Sequence, residues 1–223
     1  MRKLSADLDK LQCSIMKIIK KLAGFTLIEL IIVVSIIAIL MSIVIPASQK
    51  VFTEARKAKA QAAMKQIAET YCRYYQNNGF IPNATDTRNL IEQFAKDGEL
   101  NNANLFIFPG DSKAAGILRE NIWPYDGSPW ESGKQLSVAL VGNITKEVNQ
   151  STTPIALSRG LQESGIWSKD GVWGTDGGFI GFLDGQVRWY KSVADKLSLE
   201  SGSTSSIKAA VDAVGGTILG TNT

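Results

Sequence analysis

An uninterrupted apolar run near the start of the chain most strongly limits what this sequence can fold into. Residues 25–45 read FTLIELIIVVSIIAILMSIVI, 21 residues with one charged side chain, Glu29. As an α-helix this run measures about 31 Å, close to the hydrocarbon thickness of a bilayer, which is about 30 Å. Pro46 follows, and a proline within a helix removes a hydrogen bond and predicts a kink. The sequence therefore predicts a membrane-spanning helix over residues 25–46.

The 24 residues before this run form a basic leader, with six basic and two acidic side chains, that ends at Gly24. A secretory signal peptide has a shorter apolar core and a small-residue cleavage site after that core. No such site follows Ile45. An ordinary signal anchor would keep its basic flank and seldom contains a glutamate. Met16 offers a second translation start, MKIIKKLAG, with a nine-residue leader.

Residues 24–30, GFTLIEL, place a glycine and a phenylalanine ahead of a glutamate inside the apolar run. This motif resembles the signal of type IV prepilins and type II secretion pseudopilins. The resemblance implies that a prepilin peptidase removes residues 1–24 by cutting after Gly24 and then methylates the new amine of Phe25. It also implies a filament built from bundled N-terminal helices, in which Glu29 acts in assembly and register.

The physics of Glu29 supports this interpretation. A carboxylate at the bilayer centre costs about 3 kcal/mol, but four residues from the new N-terminus Glu29 would lie only about 6 Å deep. In a staggered bundle it would meet the Phe25 amine of a neighbouring subunit, and the two buried charges would pair and set the register. The plainer alternative is that Glu29 only reaches the lipid headgroups.

The orientation in the membrane depends on the motif. Residues 47–66 carry five basic groups and one acidic group, so both flanks of the apolar run are basic and the positive-inside rule does not discriminate. The motif implies a single-pass protein of the bacterial inner membrane with a cytoplasmic leader and a periplasmic domain. Such a subunit would then enter a periplasmic or surface filament.

Residues 47–78 are rich in Ala, Lys, Gln and Glu, and neither glycine nor proline interrupts them before Gly79. Apolar side chains recur there with helical spacing, which predicts that the membrane helix continues as an amphipathic helix. The predicted apolar stripe consists of Val51, Ala55, Ala58, Ala62, Ile67, Tyr71 and Tyr74.

Residues 79–197 are predicted to form a globular α+β domain. The predicted elements are a helix over 85–97 with Leu90, Ile91 and Phe94 inward, a strand over 105–108, a helix from Asp111 to Ile122, and strands over 136–144, 154–160 and 178–190. Asp184-Gly185 predicts a type I′ hairpin within the last of these. The long helix needs a partner for its apolar stripe, and an antiparallel sheet supplies one. The fold class is therefore α+β and pilin-like: a long N-terminal helix packed on a small antiparallel sheet.

A second resemblance lies at the hairpin. Residues 177–190, GGFIGFLDGQVRWY, are similar to the ending of prepilin-like proteins from some Gram-negative phyla. Those proteins often have histidine where this chain has Gln186, so no metal role is carried over to this position. Residues 198–223 form a tail rich in Ser, Gly and Thr. A short helix is expected over 205–216, and the last residues, 216–223, are expected to be mobile.

Catalysis and metal binding find little support in the sequence. The chain has no histidine, which excludes a Ser-His-Asp triad, a Cys-His pair and a His-ligated metal. Asp170 and Asp176 lie among glycines in DGVWGTDGG (170–178) and are candidate calcium ligands. That segment lacks the EF-hand pattern, and a solvated turn is the simpler interpretation. We expect no enzyme activity and no other cofactor.

Two further surface features each allow more than one interpretation. The five tryptophans would either expose their rings as a glycan-binding surface or pack in the core and loops of the domain. Packing is the favoured interpretation. The tryptophans are Trp123, Trp130, Trp167, Trp173 and Trp189. The basic run Arg56-Lys57-Lys59 would touch lipid headgroups, pair with acids on a neighbour, or be a solvated face.

The expected function is that of a structural subunit of a pilus-like filament. Its partners would be other copies, bound through the N-terminal helices, the prepilin peptidase and an inner-membrane assembly platform. The mature chain keeps only Cys72 and so lacks the C-terminal disulfide loop of many pilins, which favours a type II secretion pseudopilin supporting protein export. The alternatives are a type IV pilin for adhesion or motility and, from another class, a membrane-anchored glycan-binding module. The mature chain has 18 basic and 19 acidic residues, so no nucleic-acid partner is expected.

Overall fold

The computed structural model describes residues 25–124, 127–145, 147–162, 164–193 and 207–220. The leader, with Gly24 and the second start Met16, lies outside the described residues. The chain divides into two compact units, Met1–Phe52 and Thr53–Thr223.

The long helix α1 spans Leu27–Asn78, 52 residues, and confirms the prediction of one continuous helix. It alone among the described segments is long and apolar enough to cross a membrane. The helix continues through Pro46, and the kink there stays a prediction. At its end the Asn78 side chain donates to the carbonyl of Tyr74 at 2.9 Å, and Gly79 takes a positive φ of 76°. Glycine favours this left-handed conformation, which ends helices.

The buried face of α1 begins later than predicted. Ile67 and Tyr71 are fully buried as expected, and Tyr74 is half-buried. The first half of the predicted stripe is wrong, because Val51 is 67% exposed and Ala55, Ala58 and Ala62 are also exposed. The buried side chains of α1 are Ala60, Met64, Ile67, Ala68, Thr70, Tyr71 and Tyr75. Alanine occurs on every side of this segment, so alanine positions do not fix the phase of the stripe.

The domain is built on a five-stranded antiparallel sheet of order β4-β3-β2-β1-β5. Its strands are β1 (Val138–Gly142), β2 (Pro154–Ser158), β3 (Gly178–Phe182), β4 (Val187–Tyr190) and β5 (Thr217–Leu219). Two short helices accompany it, α2 (Thr87–Lys96) and α3 (Ile207–Ala213). This arrangement confirms the α+β class.

The central strands are covered on both faces. On one face Leu140 and Ala156 share a core with the buried side of α1, and Tyr71 donates to the Val141 carbonyl at 3.2 Å. Burial raises the pKa of this tyrosine. On the other face Leu157 packs in a second cluster with Trp167. Every residue of β1 and β2 is therefore buried, which explains why both strands read as continuous apolar runs.

The predicted helix at residues 85–97 is confirmed. Its N-cap is Asp86, whose carboxylate accepts from the backbone N–H of Asn89 at 2.9 Å. Leu90, Ile91 and Phe94 are fully buried, as the spacing predicted. The segment after it differs from expectation.

Two predicted elements between the helix and the sheet are wrong. The expected strand at 105–108 is replaced by a 3-10 helix, Ala103–Phe106, because the Asn102 side chain caps it by accepting from the N–H of Asn104 at 2.9 Å. The expected helix from Asp111 to Ile122 does not form, and these residues make turns and isolated bridges instead. The Asp111 carboxylate accepts one local backbone bond, from Lys113, and its main partners are distant side chains.

The predicted hairpin forms, but the predicted type I′ turn is wrong. Gly185 has a φ of 84° while Asp184 does not take a positive φ. The N–H of Gly185 donates to the Phe182 carbonyl at 3.0 Å, and the N–H of Phe182 donates to Gln186 at 2.8 Å. This pattern is a type I turn closed by a glycine bulge, not the type I′ turn, which needs two positive φ values.

The chain end is more ordered than predicted. Residues Thr217–Leu219 form β5 and pair with β1, with Leu219 opposite Leu140. The carbonyl of Leu219 also accepts from the Thr87 hydroxyl at 2.7 Å. The expected mobility is therefore wrong for these residues, while 221–223 lie outside the described residues.

Two glycines of β3 provide a matched test of this packing. A methyl group at Gly178 would lie 2.3 Å from the Ser158 hydroxyl and 2.4 Å from the Trp167 ring, whereas one at Gly181 would find ordinary contacts at 3.6 Å. We expect Gly178→Ala to lower the free energy of unfolding by about 1–3 kcal/mol or more. Gly181→Ala should leave it nearly unchanged. Denaturant unfolding of the detergent-solubilised chain, followed by tryptophan fluorescence, measures both, and equal effects would contradict the packing described.

Candidate processing and assembly site

The N-terminus of α1 is closed by a reciprocal pair of side chains. Thr26 immediately precedes the helix, and its hydroxyl accepts from the backbone N–H of Glu29 at 3.3 Å. Glu29 Oε2 in turn accepts from the backbone N–H of Thr26 at 2.9 Å and from its hydroxyl at 2.7 Å. This is a capping box, which satisfies backbone N–H groups that a helix start leaves without partners. The carboxylate also lies in the first turn, where the helix dipole favours negative charge.

The sequence-based interpretation of Glu29 missed this local role. The pattern Thr26-x-x-Glu29 followed by an apolar run is the known sequence signature of a capping box, so the signal was present. Both Glu29 bonds use Oε2, and Oε1 has no partner among the described residues. The carboxylate can therefore keep its bonds to Thr26 and still accept a donor from outside the chain.

The rest of the apolar run presents its side chains outward. Phe25 is 73% exposed, and the large apolar residues from Leu27 to Ile45 are between 43% and 77% exposed. Ser35 and Ser42 satisfy their hydroxyls on backbone carbonyls of the same helix, at 2.7 Å each. Apart from Glu29, the described surface of this segment is thus suited to lipid or to other apolar helices.

The start of α1 lies within a segment that matches a known protein family. Residues 19–45 match the family described as the prokaryotic N-terminal methylation motif. The chain carries the N-terminal motif of type IV pilins and pseudopilins. Neither the curated proteins nor the solved structures give a match. For this pilin-like chain the motif implies processing by a prepilin peptidase and filament assembly in general, and it indicates a structural subunit rather than an enzyme.

The matched residues, 19–45, include Gly24, Phe25 and Glu29. The individual roles of these three residues in cleavage, methylation and assembly stay predictions. The motif and the single long apolar helix are consistent with a single-pass inner-membrane protein. The second resemblance, at residues 177–190, lies outside the matched residues and stays a prediction.

The candidate calcium ligands gain no support from their surroundings. The Asp170 carboxylate pairs with the Lys113 ammonium, and this bond lowers the pKa of Asp170. Asp176 ends a 3-10 turn, Gly174–Asp176, and is exposed. Within the part of the chain that the structure describes, no three His, Cys, Asp or Glu side chains come together to hold a metal. Calcium binding at these residues stays a prediction.

A buried ion pair, Asp111 with Arg159, was missed by sequence reasoning because its members lie 48 residues apart. Their side chains are 2% and 9% exposed, respectively. Asp111 Oδ2 also accepts from the Ser137 hydroxyl at 2.7 Å, and Ser137 accepts from the N–H of Phe108 at 2.9 Å. Arg159 further donates to the Asp170 carbonyl. The network joins two surface loops to Ser137 and Arg159, which flank strands β1 and β2.

The tryptophans divide into packed and exposed rings. Trp130 and Trp167 are 1% and 2% exposed, which confirms packing for these two. Trp173 and Trp189 are half-buried and lie 5.3 Å apart in an aromatic cluster. Trp123 is 40% exposed, with the Lys96 ammonium 5.2 Å from its ring centroid. A glycan surface made of several exposed tryptophans is therefore not formed by the described residues.

The three residues of the basic run, Arg56, Lys57 and Lys59, differ in what they contact. The Lys57 ammonium lies 4.5 Å from the centroid of the Trp189 ring, and the Arg56 side chain lies against the backbone at Gly110. Lys59 is exposed. Two of the three cations therefore face the domain, an interpretation that the sequence did not suggest.

Cys72 is a free thiol and is half-buried. The Gln76 amide donates to its sulfur at 3.2 Å. Cys13, the other cysteine of the sequence, lies outside the described residues.

Proposed function

We propose that this chain is a type II secretion pseudopilin, a subunit of a short pilus-like filament that supports protein export. The observation that carries the proposal is the methylation motif at the start of an outward-facing apolar helix with one carboxylate, Glu29, in its first turn. An export fibre needs a subunit that waits in the membrane and then packs into a bundle, and this helix is suited to both environments.

In the membrane, lipid solvates the apolar side chains of residues 27–45, and the capping box with Thr26 keeps the Glu29 carboxylate hydrogen-bonded. Outside the membrane the same side chains must be covered, because apolar surface of this size is unfavourable in water. Identical helices from other subunits supply that cover.

Register in the bundle comes from charge. Cleavage after Gly24 creates a positive amine on Phe25, which the Glu29 carboxylate of a neighbouring subunit can neutralise at that depth. Oε1 of Glu29 is available to the amine of a neighbour while Oε2 stays bound to Thr26. A buried charge without a partner is far more costly than a paired one, so only a register that pairs the charges is favourable.

One sequence feature favours a secretion pseudopilin over a type IV pilin for adhesion or motility. The mature chain would contain a single cysteine, Cys72, and so no disulfide loop of the kind found in many pilins. The expected partners are other copies, the prepilin peptidase and an inner-membrane assembly platform.

The test is intact-mass and N-terminal peptide analysis of the protein from its native membranes, with and without the prepilin peptidase. We expect a chain that begins at methylated Phe25, and a retained leader when the peptidase is deleted. The length of that retained leader also shows whether translation starts at Met1 or Met16. A leader that persists in the presence of the peptidase, or a cut elsewhere, would contradict the proposal and favour an anchored binding module.

A further inference from the structure

The first turns of α1 that belong to the domain unit contact the rest of that unit through charged side chains instead of apolar ones. No side chain from residue 54 to residue 59 is buried, and burial begins at Ala60. We propose that residues 54–59 are a detachable segment of α1. Arg56 and Lys57 act as a clasp that holds this segment, and it can leave the domain while the sheet stays folded.

Lys57 makes the first contact of the clasp. Its ammonium lies over the Trp189 ring, 4.5 Å from the centroid, and 3.6 Å from the Glu54 carboxylate. The Lys57 side chain is 22% exposed. A cation over an aromatic face at a site that water reaches is a weak attraction, so this contact opens readily.

Arg56 makes the second contact. A methyl group at Gly110 would lie 2.9 Å from Arg56 Cδ, so the arginine stem lies directly on the backbone of this turn. Gly110 also has a φ of 86°, which an L side chain rarely adopts. The guanidinium lies over the same turn, because that methyl group would also be 3.1 Å from Nη1 and 3.2 Å from Nε, while the residue as a whole is exposed. The contact is therefore one that water reaches.

The sheet does not depend on the clasp. Trp189 lies 5.3 Å from Trp173 and 4.9 Å from Phe179, so its ring keeps aromatic partners when Lys57 leaves. Phe179 is only 3% exposed. The buried side of α1 consists of Ala60 and later residues, so releasing residues 54–59 uncovers no buried side chain of the helix.

A subunit that assembles through α1 would gain from such a segment. Ala55 and Ala58 are already exposed, and release of the clasp would free the remaining sides of the same turns for contact with a neighbouring helix. This consequence rests on the proposed function, whereas detachment itself does not.

Distances between paired spin labels test the proposal on the full chain in detergent, dispersed as single subunits. One pair joins Ala58→Cys to Thr175→Cys across the clasp, and the matched pair joins Gln66→Cys to Thr175→Cys. Both use a Cys72→Ser background, with any remaining leader cysteine also replaced by serine. Positions 58, 66 and 175 are exposed. Because no assembly is involved, failure here is distinguishable from failure of the proposed function.

We expect the double substitution Arg56→Gln with Lys57→Gln to raise the longer-distance population of the 58–175 pair about two- to fivefold. The 66–175 distances should stay unchanged, and Lys59→Gln should leave both pairs as in the wild type. If neither pair responds to the double substitution, or if Lys59→Gln gives the same shift, the clasp does not hold the segment. If both pairs broaden together, the helix leaves as a whole and the segment is not separately detachable.

Discussion

Replacing Glu29 with leucine is expected to abolish filament assembly while leaving the chain inserted in the membrane. Leucine improves the apolar character of the run, so insertion should be at least as efficient. It removes the carboxylate that would pair with the Phe25 amine of a neighbour, and an amine buried without a partner makes the bundled state unfavourable. The measurement is the fraction of subunit recovered in sheared filaments, compared with the fraction in the membrane. Filaments at the wild-type level would contradict the proposed role of the charge.

Glu29→Gln separates the capping role that the structure shows from the proposed charge pairing with a neighbouring subunit. Glutamine can still complete a capping box with Thr26, but it carries no charge. If charge pairing sets the register, Glu29→Gln should fail to assemble as Glu29→Leu does; if capping alone matters, it should assemble normally. Ser35→Ala is the matched control, because Ser35 is another polar group of the same helix and its hydroxyl donates to the Ile31 carbonyl within that helix. It should assemble like the wild type.

The features that the sequence predicted well are those that depend on neighbouring residues. The α1 helix follows from an apolar run joined to a segment without glycine or proline, and α2 follows from an apolar spacing that ends before Gly98. The strands β1 and β2 follow from short apolar runs bounded by polar residues. The methylation motif is likewise a contiguous pattern.

The features that could not be predicted from the sequence depend on groups that are distant along the chain, or on a choice between conformations of similar energy. An Asp-Gly pair is compatible with both hairpin turns, and the observed turn has a positive φ at Gly185 alone. Strand β5 has only three residues, Thr-Ile-Leu, which are too few to show an alternating pattern, and it pairs with Leu140 and Val141 on β1. The sequence predicts a helix starting at Asp111 because the neighbours of this residue do not reveal its partner, Arg159.

Asp111→Ala is expected to lower the free energy of unfolding of the domain by about 3–5 kcal/mol. The substitution leaves the Arg159 guanidinium, whose side chain is 9% exposed, without its carboxylate, and it removes the acceptor of the Ser137 hydroxyl. A buried charge that loses its partner carries its full desolvation penalty, whereas the intact pair offsets that penalty. The measurement is the denaturant midpoint of the detergent-solubilised chain, followed by tryptophan fluorescence.

Asp170→Ala is the matched control for Asp111→Ala. Asp170 also pairs with a cation, Lys113, but its side chain is 75% exposed. Exposed ion pairs contribute little, so this variant should unfold at nearly the wild-type midpoint. Replacing both Asp111 and Arg159 with apolar residues of similar size should cost less than Asp111→Ala alone, because no orphaned charge remains. Equal midpoints for Asp111→Ala and Asp170→Ala would show that water reaches the Arg159 site and that the pair does not hold the two loops on the sheet.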